Sequence, residues 1–569
     1  MDEHWRRCVW YKAGGVNIVA GFVSEERLAY GPWQAIERMV ARLIEHSGFK
    51  DVTIVGGTGD GGADVVGTFK GKRWVIQAKY RQSGAMNSSA GKEVVRSLSL
   101  YKADVAVAVT NQGFTQGAFD YQEEMKANGI DLRLWTGAYL LNEYYKPLPN
   151  ISKSHKKLRT YQMEAVDFIE HKRSRGKTNA LAIIATGLGK SLIANQLVVN
   201  ELARNPSQEI LVLAHTRPLV RQLEISSWSQ LDKTVSTHLW TDGETPRYSG
   251  GIIFATWQSI KSALQREPII GRFGLVIVDE AHHAPSIEFS KMLDALQPNF
   301  LVGLTATPWR GDERSLSHLF GSDPFTMDIV DGMQRGFLAD VDYRMLTDGI
   351  DWDEIALMSK KGLTIRDLNM KLILPDRDLA IVEMFSDHFK SLERPRALIF
   401  CKSKSHTNRL RPLLSALGIK VAVLHSGLSR EQQFHNLSAF RAGQIDCLLS
   451  VEMLNEGIDV PDVNLVAFMR VTHSRRIFIQ QLGRGLRVKP GKSKVLVLDF
   501  VADIRRVAAG LRLNQEAIER GSDPEVIRFK DGRIVKFDND IPATFFDEYL
   551  ADVADIENMD EGARLKFPD

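Results

Sequence analysis

Two glycines, a lysine and a serine set the first chemical expectation. Residues 181 to 191 read LAIIATGLGKS: an apolar run, a loop of Ala185, Thr186, Gly187, Leu188 and Gly189, then Lys190 and Ser191 at the start of a helical pattern. Gly187 and Gly189 let backbone N–H groups turn toward the β- and γ-phosphates of a nucleotide, and the helix start adds positive potential. Lys190 can reach the phosphates and Ser191 can ligate Mg²⁺. The loop departs from the strict GxxxxGK[ST] form, because Ala185 takes the first glycine position. A second element strengthens the expectation. Residues 275 to 283 read LVIVDEAHH, a buried-type strand that ends in two carboxylates. Asp279 can hold Mg²⁺ through water, and Glu280 can act as general base on the attacking water. Adjacent acids at the end of an apolar strand are costly unless a metal or substrate uses them; an acidic helix cap is the non-catalytic alternative. A third element is FIQQLGRGLR, where Arg484 and Arg487 lie three apart on one helical face. Guanidinium forks suit the charge of a transferring γ-phosphoryl group.

A separate constellation lies nearer the start. Residues 56 to 79 read GGTGDGGADVVGTFKGKRWVIQAK. Asp64 opens one strand, the turn FKGKR returns the chain, and a second strand carries Gln77 and Lys79. Two residues apart on a strand, Gln77 and Lys79 share a face. If the strands pair, Asp64 faces them. A carboxylate and an amide oxygen suit a hard cation such as Mg²⁺, and the lysine can position or help deprotonate a water. Glu37 on the preceding helix can add a second carboxylate. A glycine-rich turn between solvated strands is the alternative, and so is the right fold with no chemistry.

The elements that must position these groups are short. Trp33, Ile36, Met39, Val40, Leu43 and Ile44 recur at helical spacing, and Gly48 stops that helix. Strands are predicted at 52–55, 64–69, 74–79 and 105–109. From about 158 to 500, apolar strands alternate with helices: 181–185, 210–214, 251–255, 275–278, 300–304, 397–401, 421–424, 447–450, 465–469 and 495–498. Continuous Val, Ile and Leu runs of this kind fit parallel strands buried on both faces. Ten are too many for one typical sheet, so two α/β lobes are expected. The predicted organisation is a lead-in at 1–30, an α/β domain at 31–150, a first lobe at 151–340, a second at 341–500 and an extension at 501–569. The stretch 340–375 is poorly patterned and reads as a lobe linker or an insertion. The linker LPNISKSHKKLR (148–159) reads as a solvated hinge or as a basic strip on phosphates. The extension offers a hairpin, Val526 to Lys530 and Arg533 to Phe537, around Asp531-Gly532. Its acidic end is a solvated terminus or a docking tail for a partner.

Composition excludes other classes. The chain has 569 residues, 44% apolar and 25% charged, as a folded globular protein does and a largely disordered one does not. Its formal charge of +3 means that any basic surface is local. Cys8, Cys401 and Cys447 are too scattered for a disulfide framework or a zinc site. No apolar run reaches the roughly 18 residues of a membrane span, and the charged start MDEHWRRCVW is unlike a signal peptide. A cytoplasmic protein without a membrane partner is expected. Trp240, Trp257 and Trp309 read as packing residues before base-stacking ones, and His283 as packing before chemistry.

Taken in order, the motifs resemble a superfamily 2 helicase of the DEAH type. The match runs through LRTYQ (158–162), ATGLGKS (185–191), AHTRPLVRQ (214–222), FATWQSI (254–260), DEAH (279–282), TATP (305–308), LIFCKSK (398–404), LLSVEMLNEGIDVP (448–461) and QQLGRGLR (480–487). The resemblance implies two RecA-like lobes that bind ATP and Mg²⁺. Gln162 would read adenine, and Asp459 would lie near the ribose. Thr305 and Thr307, with His282, would couple nucleotide state to nucleic-acid grip. Arg217, Thr256, Asn455 and Gly457 would lie near the phosphate track. Backbone contacts carry no sequence information, so the motor should tolerate any DNA sequence. Residues 31 to 142, including GDGGAD and AVAVTNQGFTQGA (106–118), resemble the Mrr-type branch of the PD-(D/E)xK restriction endonucleases, which uses QxK. That resemblance implies a metal-dependent DNA endonuclease with Glu37, Asp64, Gln77 and Lys79 at the site. The fold class expected is α/β, a restriction-endonuclease-like domain before two parallel-sheet lobes. The function expected is an ATP-dependent DNA translocase or helicase coupled to an endonuclease, in restriction or anti-phage defence with partner proteins. The alternatives are a motor whose nuclease-like domain only binds DNA, and an RNA helicase.

Overall fold

The computed structural model describes residues 21–55, 62–146, 155–241, 243–246, 250–266, 269–306, 316–346, 377–401, 403–441, 443–451, 463–469 and 494–500. Thr307, Trp309, Asn455, Gly457, Asp459, Arg484, Arg487 and the hairpin at 526–537 lie outside the described residues. The chain divides into two compact units. The first holds residues 1–183 and nearly all of 189–326; the second holds 327–569 with the short stretches 184–188 and 311–313.

The first unit contains two sheets. Strands β1 (Lys50–Ile54), β2 (Val65–Phe69), β3 (Lys72–Lys79), β4 (Val105–Thr110) and β5 (Asp131–Trp135) form a five-stranded sheet in that spatial order. The β1–β2 and β2–β3 pairs are antiparallel, and β3–β4 and β4–β5 are parallel. Helix α1 (Ile36–His46) packs on β2 and β3. Its apolar stripe, Ile36, Met39, Val40, Leu43 and Ile44, is buried, as a repeat of three and four residues requires. Gly48, at φ +93°, ends the turn that follows. Helix α2 (Ser89–Tyr101) covers β3 and β4.

The second sheet of this unit has seven strands: β6 (Asn179–Ile184), β7 (Glu209–Ala214), β8 (Thr237–Trp240), β9 (Ile252–Thr256), β10 (Phe273–Asp279), β11 (Phe300–Thr305) and β12 (Phe325–Met327). The order is β12-β6-β11-β10-β7-β9-β8. Pairing is parallel from β6 across to β8. Helices α3 (Thr160–Ser174), α4 (Lys190–Arg204) and α5 (Arg217–Trp228) belong to this layer. In the second unit, β13 (Asp340–Leu346), β14 (Ala397–Cys401), β15 (Val421–Leu424), β16 (Cys447–Ser450), β17 (Leu465–Met469) and β18 (Lys494–Phe500) form a six-stranded parallel sheet in the order β13-β18-β17-β14-β16-β15.

The structure corrects the sequence analysis at sheet edges. The poorly patterned stretch after residue 340 begins with strand β13, not with a linker. Strands β5, β8 and β12 were also not predicted. All four lie at the margin of their sheet. An edge strand buries less of its surface and carries a weaker apolar signal than a central one. The tryptophan expectation holds where it is described: Trp240 is buried, and Trp257 stacks on Phe289 at 5.4 Å.

Candidate active sites

Parallel alignment brings the carboxyl ends of β6, β7, β9, β10 and β11 to one edge of the seven-stranded sheet. That edge is where open α/β sheets bind ligands. After β6 the chain enters the glycine loop, with Gly187 at φ +93° and Gly189 at φ +80°. Gly189 caps α4, so Lys190 and Ser191 start that helix. The left-handed backbone at Gly189 strains any side chain, and a Cβ there would lie 2.7 Å from Gln162 Nε2. Gln162 is buried, and its Oε1 accepts from the Arg159 N–H at 2.9 Å, capping α3. Gly189→Ala should weaken ATP binding about tenfold, since left-handed strain alone costs ~1–2 kcal/mol. Titration with a fluorescent nucleotide checks this, and unchanged affinity would reject the close-approach role.

At the end of β10, Lys190 Nζ lies 3.5 Å from Glu280 Oε1, and both side chains are nearly buried. Glu280 adopts φ +50°. A non-glycine residue held there costs about 1–3 kcal/mol and is found where function demands a side-chain direction. Glu280 Oε2 makes no hydrogen bond. His282 Nδ1 sits 3.4 Å from that oxygen and 2.9 Å from Thr305 Oγ1 on β11. His282 is fully buried, so the contact ties the strand ends of β10 and β11 together. Asp279 ends β10 itself, half-buried. Thr186 Oγ1 is a buried hydroxyl without a hydrogen-bond partner. The structure therefore brings Gln162, Gly189, Lys190, Glu280, His282 and Thr305 together, with Ser191 and Asp279 beside them. Thr256 ends β9 and caps the next helix through Ser259. Arg217 is exposed at the start of α5. Sequence reasoning missed His215, after β7, whose ring stacks on His283 at 4.0 Å. His283 is thus a packing residue.

In the five-stranded sheet, the β2–β3 register pairs Val65 with Ile76 and so sets Asp64 across from Gln77. Asp64 Oδ2 accepts from Gln77 Nε2 at 2.5 Å and from the Ala78 N–H at 2.7 Å. Both side chains are buried. Gln77 Oε1, also buried, accepts no hydrogen bond. An unsatisfied buried oxygen is costly, and here it stands beside a carboxylate. That oxygen-donor pair fits a hard cation. Asp64 and Gln77 would hold it, and it would supply charge neutralisation at a phosphate and an activated water. Among the described residues no group of three or more His, Cys, Asp and Glu could hold a metal, so any further ligand comes from the amide or from elsewhere. Glu37 lies half-buried in the first turn of α1, the helix packed on β2 and β3. Lys79 Nζ pairs with Glu93 Oε2 on α2 at 2.9 Å. The sequence analysis did not single out Glu93, which carries no motif signal. Gly62, at φ +88°, approaches the Glu93 carbonyl so closely that a Cβ would come within 2.7 Å. Gly62 and α2 thereby approach closely beside Asp64.

Family models match three stretches of the chain: a restriction endonuclease model at residues 29–143, the type III restriction enzyme res subunit model at 155–310, and the helicase conserved C-terminal domain model at 380–489. The chain is 24% identical over 380 residues to the type I restriction enzyme EcoAI endonuclease subunit of Escherichia coli, covering 61% of this chain and 46% of that protein. It is 24% identical over 393 residues to the DNA 3'-5' translocase XPB2 of Sulfurisphaera tokodaii, covering 62% and 83%. Among solved structures, the ATP-dependent type ISP restriction-modification enzyme LlaBIII bound to DNA matches with a TM-score of 0.53 at 16% identity, over 89% of this chain and 40% of that one; the likeness is one of fold. The chain spans about half the length of several curated relatives it matches. Three matched models in this order, on one mixed and two parallel sheets, make the chain a member of the superfamily 2 helicases that carries an N-terminal Mrr-type restriction-endonuclease domain.

Proposed function

We propose that the chain is a cytoplasmic ATP-driven DNA translocase or helicase coupled to a Mg²⁺-dependent endonuclease, working in restriction or anti-phage defence. The observation that carries the reading is the pairing of two sites within one compact unit. Lys190 and Glu280 stand 3.5 Å apart at the strand ends of one sheet, and Asp64 and Gln77 meet at 2.5 Å in the other. The first pair suits phosphoryl transfer, with Lys190 facing phosphates and Glu280 orienting the attacking water. The second suits metal-assisted cleavage of a phosphodiester. Asp279 and Ser191 are the residues for the nucleotide's Mg²⁺. Arg484, Arg487, Asp459, Asn455, Gly457 and Thr307 keep the roles that the motif order implies. Arg217 and Thr256 lie at strand ends where a phosphate backbone would run.

A second reading has an observation in its favour. Asp64 Oδ2 is already occupied by two N–H donors, and Lys79 is paired with Glu93. Such a site could bind DNA without cutting it. Incubating wild type and Lys79→Ala with supercoiled plasmid, Mg²⁺ and ATP separates the two. Nicking or linearisation by wild type, lost in Lys79→Ala, is the expected result. DNA-stimulated ATP hydrolysis with intact plasmid under every Mg²⁺, ATP and DNA form tried would select the binding-only reading. Stimulation by RNA and not by DNA would reject both.

A further inference from the structure

Arg38 follows Glu37 on α1, yet its side chain faces away from the nuclease sheet and into the helicase layer. Its Nη1 and Nη2 donate to Glu244 Oε2 and Oε1 at 2.9 and 2.5 Å, a two-pronged fork. Its Nε lies 2.8 Å from Glu224 Oε2 on α5. The three side chains are 11%, 5% and 2% exposed. Burial works against the Arg38 charge, but Glu224 and Glu244 outweigh it and hold its pKa above the ordinary arginine value. Burial, with Glu244 adding to it, raises the Glu224 carboxyl against the pull of Arg38. The fourth member is Arg42, one turn on, whose guanidinium donates to the Val235 and Asp232 carbonyls at 2.9 and 3.1 Å. Arg38 and Arg42 thus share one buried cluster with Glu224 and Glu244. An apolar contact continues it: Trp228 and Ile225 of α5 pack into the hydrophobic core of the nuclease domain. Tyr144 Oη donates to the Lys233 carbonyl at 3.2 Å.

We infer that Arg38 is a positioning residue of the nuclease, and that the first helicase lobe is part of the nuclease's own support. The inference rests on the nuclease reading above. Long charged side chains are rarely buried unless paired, and a planar guanidinium held at both prongs has a fixed direction. Arg38 therefore fixes the first turn of α1, which carries Glu37, from the motor side. The helix that supplies Glu224 is α5, whose other end carries exposed Arg217 and follows His215. His215 stacks on His283, beside His282 and Glu280. The nuclease helix is in this way anchored to the element that leaves the ATP and nucleic-acid side of the same sheet.

The test uses the full chain with Arg38→Met, and Arg38→Lys as the variant that keeps charge but loses the fork. Arg38→Met is expected to lower plasmid cleavage about 100-fold, the size a misplaced catalytic group produces, with DNA-stimulated ATP hydrolysis within about twofold of wild type. Arg38→Lys should fall between. Exchanging the charges, Arg38→Glu with Glu224→Arg, should recover part of the loss. Hydrogen exchange is the readout that does not need cleavage: amides of residues 36–40 should exchange faster in Arg38→Met and not in Lys79→Ala. Unchanged exchange there, or equal loss of cleavage and ATP hydrolysis, overturns the inference. Plasmid left intact by wild type, with faster exchange in Arg38→Met, rejects the nuclease reading and leaves the anchoring standing.

Discussion

Glu280→Gln is expected to lower DNA-stimulated ATP turnover by about 10³-fold, within the range for loss of a positioned general base. The substitution keeps the volume and the left-handed backbone but removes the carboxylate proposed to take the proton. The carboxylate is nearly buried and 3.5 Å from Lys190 Nζ, so the amide also leaves that ammonium without its anion. Oε2 makes no hydrogen bond to the protein and is the oxygen available to a water. Lys190→Ala should be as severe, because the cation proposed to face the phosphates disappears and nearly buried Glu280 loses its lysine partner. Phosphate release at saturating DNA measures both. Turnover within about tenfold of wild type in both variants would remove these residues from the reaction.

Asp64→Asn is expected to reduce DNA cleavage by at least about 100-fold, since even outer partners of a metal site cost 10- to 100-fold when changed. ATP hydrolysis should stay near wild type, because Asp64 lies in a different sheet from Lys190. Asp64 Oδ2 satisfies two N–H donors, so a single amide oxygen in its place must leave either those donors or the cation unserved. Supercoiled plasmid with Mg²⁺ reads cleavage. A Mn²⁺-induced rise in melting temperature, present in wild type and absent in the variant, reads metal binding independently of catalysis. Cleavage that survives in Asp64→Asn would place the chemistry elsewhere.

How much of this was legible differs from residue to residue. Gly189, Lys190 and Glu280 announce themselves because their chemistry depends on local order along the chain: a glycine able to turn, a cation one residue on, an acid at a strand end. The central strands were legible for a related reason. Strands β14, β16 and β17 carry apolar runs because both faces are buried, and their predicted limits coincide with the observed ones; edge strand β15 is as apolar and was read equally well. Edge strands β5, β8, β12 and β13 were not, because half-solvated strands mix polar and apolar residues. Asp64 and Gln77 were legible as a pair once the turn between them was read as a hairpin. Lys79's partner was not, because Glu93 stands on a helix fourteen residues away with nothing in its neighbours to mark it.

The sequence by itself determined the motor's motif order, the α/β class and the candidate chemical groups, all of which reside in short contiguous segments. Only the tertiary structure decided where Arg38 and Arg42 go. The helical pattern of α1 marks its apolar stripe and says nothing of them, since charged side chains usually remain in water. Their burial depends on Glu224 and Glu244, roughly two hundred residues away in the chain, and on the carbonyls of Asp232 and Val235. A charge's environment is set by what folds against it, and no local pattern encodes that.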